Sequence, residues 1–244
     1  MNESELRSTI SMSKITNEIQ AIATPQRAEA STWFFKTGKG QYGEGDVFIG
    51  VSNPDLRAVC KKYYSLPLLE LQELLDSEIH EHRMAALMIL VEQMKKAKTV
   101  EKRTEIYDFY LDNTYRINNW DLVDCSARDI VGLYLFDKDR SILSDMARTE
   151  HLWTQRIAII ATHYFINKKQ FLDTLKIAEI LLSHKHDLIH KAVGWMLREA
   201  WKKQAEEQVE AFLEHNIGRI PRTALRYAIE KMSDERKKYF MTLK

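Results

Sequence analysis

Helix breakers are almost confined to one stretch of this chain. Only four prolines and eight glycines occur in 244 residues, and five of the glycines fall between Gly38 and Gly50. Glycine costs about 1 kcal/mol and proline about 3 kcal/mol in a helix interior, so the long tracts on either side are unusually free to be helical. Apolar residues recur in them at i, i+3 and i+4. That periodicity predicts helices over 13–23, 26–37, 53–64, 67–76, 78–97, 99–113, 119–135, 139–149, 151–166, 168–183, 187–203, 205–215, 221–231 and 233–241. Pro25 and Pro221 suit a first helical turn, and Asn53-Pro54 reads as a cap followed by proline. No run alternates as a strand would. The chain is expected to be all-α.

The helices carry a weak internal repeat. His82-Arg83-Met84-Ala85-Ala86-Leu87, Gln155-Arg156-Ile157-Ala158-Ile159 and His190-Lys191-Ala192-Val193-Gly194 each place a basic residue before small and apolar ones. Arg156 and Lys191 are 35 positions apart, and Arg83 lies about two such periods before Arg156. A further unit is then due near Trp120–Ala127. Paired helices at such a period suggest a HEAT-like α-solenoid, in which equivalent positions converge on one concave face. An irregular helical bundle is the plainer alternative. The expectation is a single HEAT-like repeat domain over 1–244, with residues 1–12 a frayed segment.

The formal net charge of +1 hides an asymmetry. Residues 151–244 hold 17 Lys and Arg against 11 Asp and Glu, while the remainder holds 19 against 24. A basic concave groove in the C-terminal half would suit an anionic partner, although sampling alone can produce such a split. Two cysteines, Cys60 and Cys125, are too few for a disulfide framework and read as reduced thiols in a cytoplasmic protein. The polar start Met1–Lys14 lacks the apolar run of a signal peptide. No stretch reaches the roughly 18 apolar residues of a membrane span.

On the helix beginning after Asn119, Leu122, Val123, Ser126, Ile130, Leu133 and Tyr134 fall on one side, the expected core face. Trp120 and Asp124 share its flank at i and i+4, and Arg128 follows. An indole and a carboxylate one turn apart can form half of a binding site; the same spacing also serves an Asp124–Arg128 ion pair. Asp121 in the first turn suits the helix dipole. On the helix at 187–203, Ile189, Val193, Met196, Leu197 and Ala200 make the apolar face, while Lys191, Trp195, Arg198 and Lys202 lie on another. Cations interleaved with an aromatic suit a phosphate backbone beside a base or sugar, or simply a solvated face. Arg219, Arg222 and Arg226 form a third basic stripe, and Arg156 lies at the margin of its helix's apolar face.

Other signals carry less. Gly38-Lys39-Gly40-Gln41-Tyr42-Gly43 matches G-x-G-x-x-G but follows a helix rather than a strand, which argues against dinucleotide binding. His186 and His190 are four apart, yet no set of further ligands completes a metal site, so surface histidines are expected.

Taken together, Phe34–Gly38, Tyr42–Asp46, Asn118–Asp124, Trp153–Ala158, Gly194–Glu199 and Pro221–Ile229 resemble the AlkD-like DNA alkylation repair glycosylases, a family of HEAT-like repeat proteins. The resemblance implies an enzyme of base excision repair that hydrolyses the N-glycosidic bond of cationic N3- and N7-alkylated purines in double-stranded DNA. It implies no metal, no cofactor and no conventional base-flipping pocket. Asp124 would be the catalytic carboxylate. Trp120 and Trp195 would pack near the damaged nucleotide's sugar and backbone. Arg156 and Arg198 would line the DNA-binding cleft, and the basic stripes add Lys191, Lys202, Arg222 and Arg226 as DNA-binding candidates. A monomer suffices. The alternatives are a non-catalytic HEAT-repeat protein binding damaged or branched DNA, and a helical protein-interaction scaffold.

Overall fold

A computed structural model describes residues 14–243; the expected frayed segment 1–12 lies outside them. Every expected helical segment is helical. Helix α1 covers 14–21, α2 Pro25–Phe34, α3 Asn53–Cys60, α4 Leu68–Leu75, α5 His80–Lys96 and α6 Val100–Asp112. Helix α7 runs from Trp120 to Ala127, passes through a π-helical turn at Arg128–Gly132 and ends as α8, Leu133–Leu135. There follow α9 (Ser141–Arg148), α10 (Leu152–Asn167), α11 (Leu172–Leu181), α12 (Asp187–Lys202), α13 (Glu206–His215), α14 (Arg222–Ala228) and α15 (Asp234–Thr242). The β pairing among the described residues is one isolated bridge, Val47 to Ile79. Among the described residues no helix is long and apolar enough to cross a membrane.

Some boundaries differ from the periodic reading, for local reasons. The cap of α3 is Ser52 rather than Asn53: its hydroxyl accepts from the Asp55 amide. Pro25 sits in the first turn of α2, whereas Pro221 is itself the residue before α14. Helix α11 starts four residues later than periodicity suggests. Lys169 is left-handed at φ 59°, its amide donates to Ile166 O, and that of Gln170 to Phe165 O. This is a Schellman motif that closes α10 without the usual glycine.

The described residues divide into two compact units, on either side of the Ser126–Ala127 bond. In the first, α5 packs against α3, α4 and α6. It buries an almost unbroken run from His80 to Val91, so its first turn must find partners for His80, Glu81, His82 and Arg83. In the second, α10 packs against α9, α11 and α12, and α12 against α11, α13 and α14. Helices α10, α12 and α14 begin at Leu152, Asp187 and Arg222, each 35 residues after the last. The helix-pair period is therefore real within this unit. Arg156, Lys191 and Arg226 take the same register in it.

The π turn changes which residues are core. Leu122, Val123, Ser126 and Ile130 are buried as expected, but Leu133 and Tyr134 are half-exposed, and Val131 and Leu135 are buried instead. A π turn adds one residue to the helix, so the apolar face advances by one position beyond it. Gly132 fits this tight place because a Cβ there would meet the Tyr164 Cβ at 2.7 Å.

Candidate functional site

Within the first unit, the start of α7 is tied down by its own side chains. Asn119 is fully buried. Its Oδ1 accepts from the Trp120 amide at 2.8 Å, and its Nδ2 donates to Asp46 Oδ2 at 3.0 Å. Asp46 also accepts from Arg83 Nη2 at 2.6 Å and from Asn118 Nδ2 at 3.4 Å. His80 spans two carboxylates: Nδ1 lies 3.3 Å from Asp46 and Nε2 2.9 Å from Asp121. Burial by itself would push the Asp46 carboxyl upward, but His80, Arg83 and Asn119 outweigh it and hold it below the usual carboxylate range. Burial likewise works against a charged His80, yet Asp121 and then Asp46 raise it to about 9. The centre is thus an ion cluster, two carboxylates against an imidazolium and a guanidinium. Asp121 is a member of it, beyond its suitability to the helix dipole.

A column of rings stands on this cluster. The His80 ring stacks on Phe48 at 4.5 Å and lies 5.3 Å from Phe35. Phe35 stacks on Phe48 at 4.9 Å and on Trp120 at 5.3 Å. Phe34 meets Trp120 edge-on at 5.9 Å, and the indole Nε1 donates to Tyr42 OH at 3.2 Å. Trp120 is half-exposed, so one side of the indole is backed and the rest faces outward. The glycine-rich loop that delivers Phe48 is itself anchored: buried Glu81 accepts from the amides of Ile49, Gly50 and Val51.

Asp124 stands one turn after Trp120, half-buried, with Leu122 and Val123 directed into the core. Cys125 beside it is no nucleophile. Burial, then Asp121 and Asp124, push its thiol upward, and its sulfur faces the Leu122 carbonyl.

The second unit holds the remaining candidates. Along α12, Lys191, Trp195 and Arg198 are half-exposed and Lys202 is exposed, while Ile189, Val193, Met196, Leu197 and Ala200 are buried. The stripe is real, but its cations are paired. Lys191 meets Asp187 at 2.7 Å, Lys202 meets Glu199 at 2.8 Å, and Arg198 engages Glu199 and Glu230. Trp195 meets the His163 ring edge-on at 5.9 Å. Burial, followed by the nearby Arg128 charge, lowers His163 and so disfavours its charged form. Arg156 is only 4% exposed and donates to the Leu188 carbonyl at 2.5 Å, in the first turn of α12. Arg222 and Arg226 are exposed. His186 caps α12 and His190 bonds the His184 carbonyl; both are half-buried rather than open surface residues. Among the described residues no group of three or more His, Cys, Asp or Glu side chains is arranged for a metal ion.

Periodicity alone does not find His80, Asp46 or Asn119. The signal for Asp46 and Asn119 lies in the stretches Tyr42–Asp46 and Asn118–Asp124; His80, in the first turn of α5, lies in none of the stretches singled out.

A family model described as DNA alkylation repair enzyme matches residues 15–232. No curated protein matches the chain in sequence. Among solved structures, a predicted DNA alkylation repair enzyme from Enterococcus faecalis is similar with a TM-score of 0.68 and 17% identity, over 87% of this chain and 97% of that one. AlkD2 from Streptococcus mutans is similar with a TM-score of 0.54 and 15% identity, over 93% and 99%. These two likenesses bear on the fold.

Proposed function

The chain belongs to the DNA alkylation repair enzyme family, and on that premise we propose that it is a monofunctional DNA glycosylase for cationic N3- and N7-alkylated purines in duplex DNA. The observation that carries this reading is the setting of Trp120 and Asp124. They lie one turn apart on α7, both partly open, with the indole backed by Phe34 and Phe35.

Alkylation at N3 or N7 leaves a fixed positive charge on the purine. When the C1′–N bond breaks, its electron pair neutralises that base, so no general acid is needed to expel it. What must be stabilised is the oxocarbenium-like sugar left behind. Asp124 supplies a negative charge on a fixed helix and accepts the proton of the water that attacks C1′. The outward face of Trp120 attracts the cationic sugar; Trp195 is proposed as an aromatic contact to the nucleotide on the family resemblance alone. The reaction so written uses no metal and no redox cofactor.

Lys191, Arg198 and Lys202, with the exposed Arg222 and Arg226, would hold phosphates. The partners Asp187, Glu199 and Glu230 would then be exchanged for phosphate oxygens on binding. Arg156 would act by fixing the start of α12 through Leu188, since its guanidinium is buried. With both cysteines free, we assign the protein to the cytoplasm, acting as a monomer on double-stranded DNA.

The test is base release from methylated duplex DNA by the native protein and by Asp124→Asn, which keeps shape and removes charge. The expected loss is about 100-fold or more in single-turnover rate, of the order seen when one transition-state-stabilising group is removed, with DNA affinity nearly retained. Equal rates would overturn the role of Asp124. Efficient release of uracil, a neutral lesion, would overturn the mechanism.

A further inference from the structure

We propose that His80, clamped between Asp46 and Asp121, is a positioning residue that sets where the Trp120 indole stands. This rests on the reading of Trp120 as a ligand-contacting face, and it adds a residue that does not itself reach the substrate.

Geometry demands a charged ring. A neutral imidazole has one N–H, yet both nitrogens of His80 face carboxylate oxygens, at 3.3 Å and 2.9 Å. The His80 side chain is 4% exposed, so water does not make up a missing donor. The groups facing the ring are Asp46 from the glycine-rich loop, Asp121 from α7, and the rings of Phe35 and Phe48. Arg83, from the same helix as His80, reaches Asp46 from its other oxygen. With His80 protonated the cluster is neutral. With it neutral, a carboxylate is buried without compensation, which is costly.

The cluster acts on Trp120 by two routes. The imidazolium attracts the faces of Phe48 and Phe35, and Phe35 is the ring on which Trp120 stacks. Asp121, held by His80 Nε2, also accepts the Leu122 amide at 2.8 Å and so fixes the first turn of the helix that carries Trp120 and Asp124. Neither route touches DNA, so the expected fault in a His80 variant is one of placement, not of binding.

The test uses the full chain labelled with 5-fluorotryptophan, which gives five fluorine signals for the five tryptophans. The Trp120 signal is assigned by Trp120→Phe. In His80→Gln that signal should shift or broaden while those of Trp153 and Trp195 stay in place. Single-turnover base release should fall about 10- to 100-fold, as a misplacement near 1 Å can cause, with affinity for methylated duplex changed less than about 3-fold. His80→Gln with Asp121→Asn should recover part of both effects, because the uncompensated charge is removed. An unmoved Trp120 signal in His80→Gln would overturn the proposal. Should His80→Gln not fold, the otherwise native protein carrying Tyr42→Phe is titrated instead, so that phenol ionisation does not contribute. The Trp120 signal should then move with a midpoint near 9, and a flat signal would overturn the proposal. If native protein released no base, the glycosylase reading would fall while the fluorine result still decided the role of His80.

Discussion

Lys169 Nζ donates to Gln204 Oε1 at 2.7 Å, and these two residues hold the same place in successive helix pairs. Each is left-handed, at φ 59° and 79°. Each closes a Schellman motif: Gln170 bonds back to Phe165 after Lys169, and Ala205 to Ala200 after Gln204. They lie 35 residues apart, the helix-pair period of the second unit.

A left-handed conformation costs a side-chain-bearing residue about 1–2 kcal/mol and glycine much less. Lys169→Gly and Gln204→Gly should therefore each raise stability by about 0.5–1 kcal/mol, even though each loses one exposed hydrogen bond. Urea denaturation measures this. A fall in midpoint for both variants would mean that the Lys169–Gln204 bond outweighs the backbone strain.

Gly194 on α12 makes the opposite case. A Cβ there would lie 2.5 Å from the Tyr227 Cβ and closer still to the Ala224 carbonyl oxygen of α14. Alanine is the better helix former by about 1 kcal/mol, so Gly194→Ala would stabilise an isolated helix. In this fold the crowding should win, with a net loss of about 1–3 kcal/mol. A raised melting temperature would show that α12 and α14 can separate at little cost.

The Asp46–His80–Asp121 cluster makes stability depend on pH. His80 is raised from 6.5 to about 9 in the folded chain. A raised group stabilises fully below its unfolded pKa, and the contribution is lost as pH rises through the folded one. Stability should thus decline between about pH 6.5 and pH 9, by an amount on the order of 3 kcal/mol. Asp46 is lowered, so its contribution is present above its unfolded pKa of 3.8 and is lost as pH falls below that. His80→Gln should flatten the alkaline limb and, because His80 helps hold Asp46 low, weaken the acid limb as well. A native protein equally stable at both ends of that window would contradict the charged ring.

The cations of α12 lead to a salt prediction. Arg198→Ala should weaken binding to damaged and undamaged duplex alike and reduce the magnitude of the salt slope by about one ion. Glu230→Gln frees the Arg198 guanidinium from one carboxylate and should tighten both about 2- to 5-fold, on the scale of one surface ion pair. Fluorescence anisotropy across salt concentrations measures these changes. Unaltered affinity in Arg198→Ala would remove α12 from the DNA interface.

What could be read from the chain alone is whatever depends on neighbours three or four positions away. Helix placement, the apolar faces of α7 and α12 and the pairing of Trp120 with Asp124 on one flank are all of that kind, because one turn of helix brings i and i+4 together whatever surrounds it; the 35-residue period was legible for a different reason, as a spacing between like segments. Departures came where a local rule was broken without a sequence mark. Lys169 takes a glycine's conformation, and the π turn at Arg128–Gly132 moves the core face from Leu133 and Tyr134 to Val131 and Leu135. The backing of Trp120 was of another kind. Tyr42, Asp46 and His80 reach the start of α7 across 78, 73 and 41 residues of chain. No periodicity encodes such contacts, since they exist only once α5, the glycine-rich loop and α7 pack together. The two carboxylates brought to that junction, Asp121 and Asp46, keep His80 charged against its burial. The residue types were visible in the sequence; their partners, and through them the protonation of His80, were decided by tertiary packing.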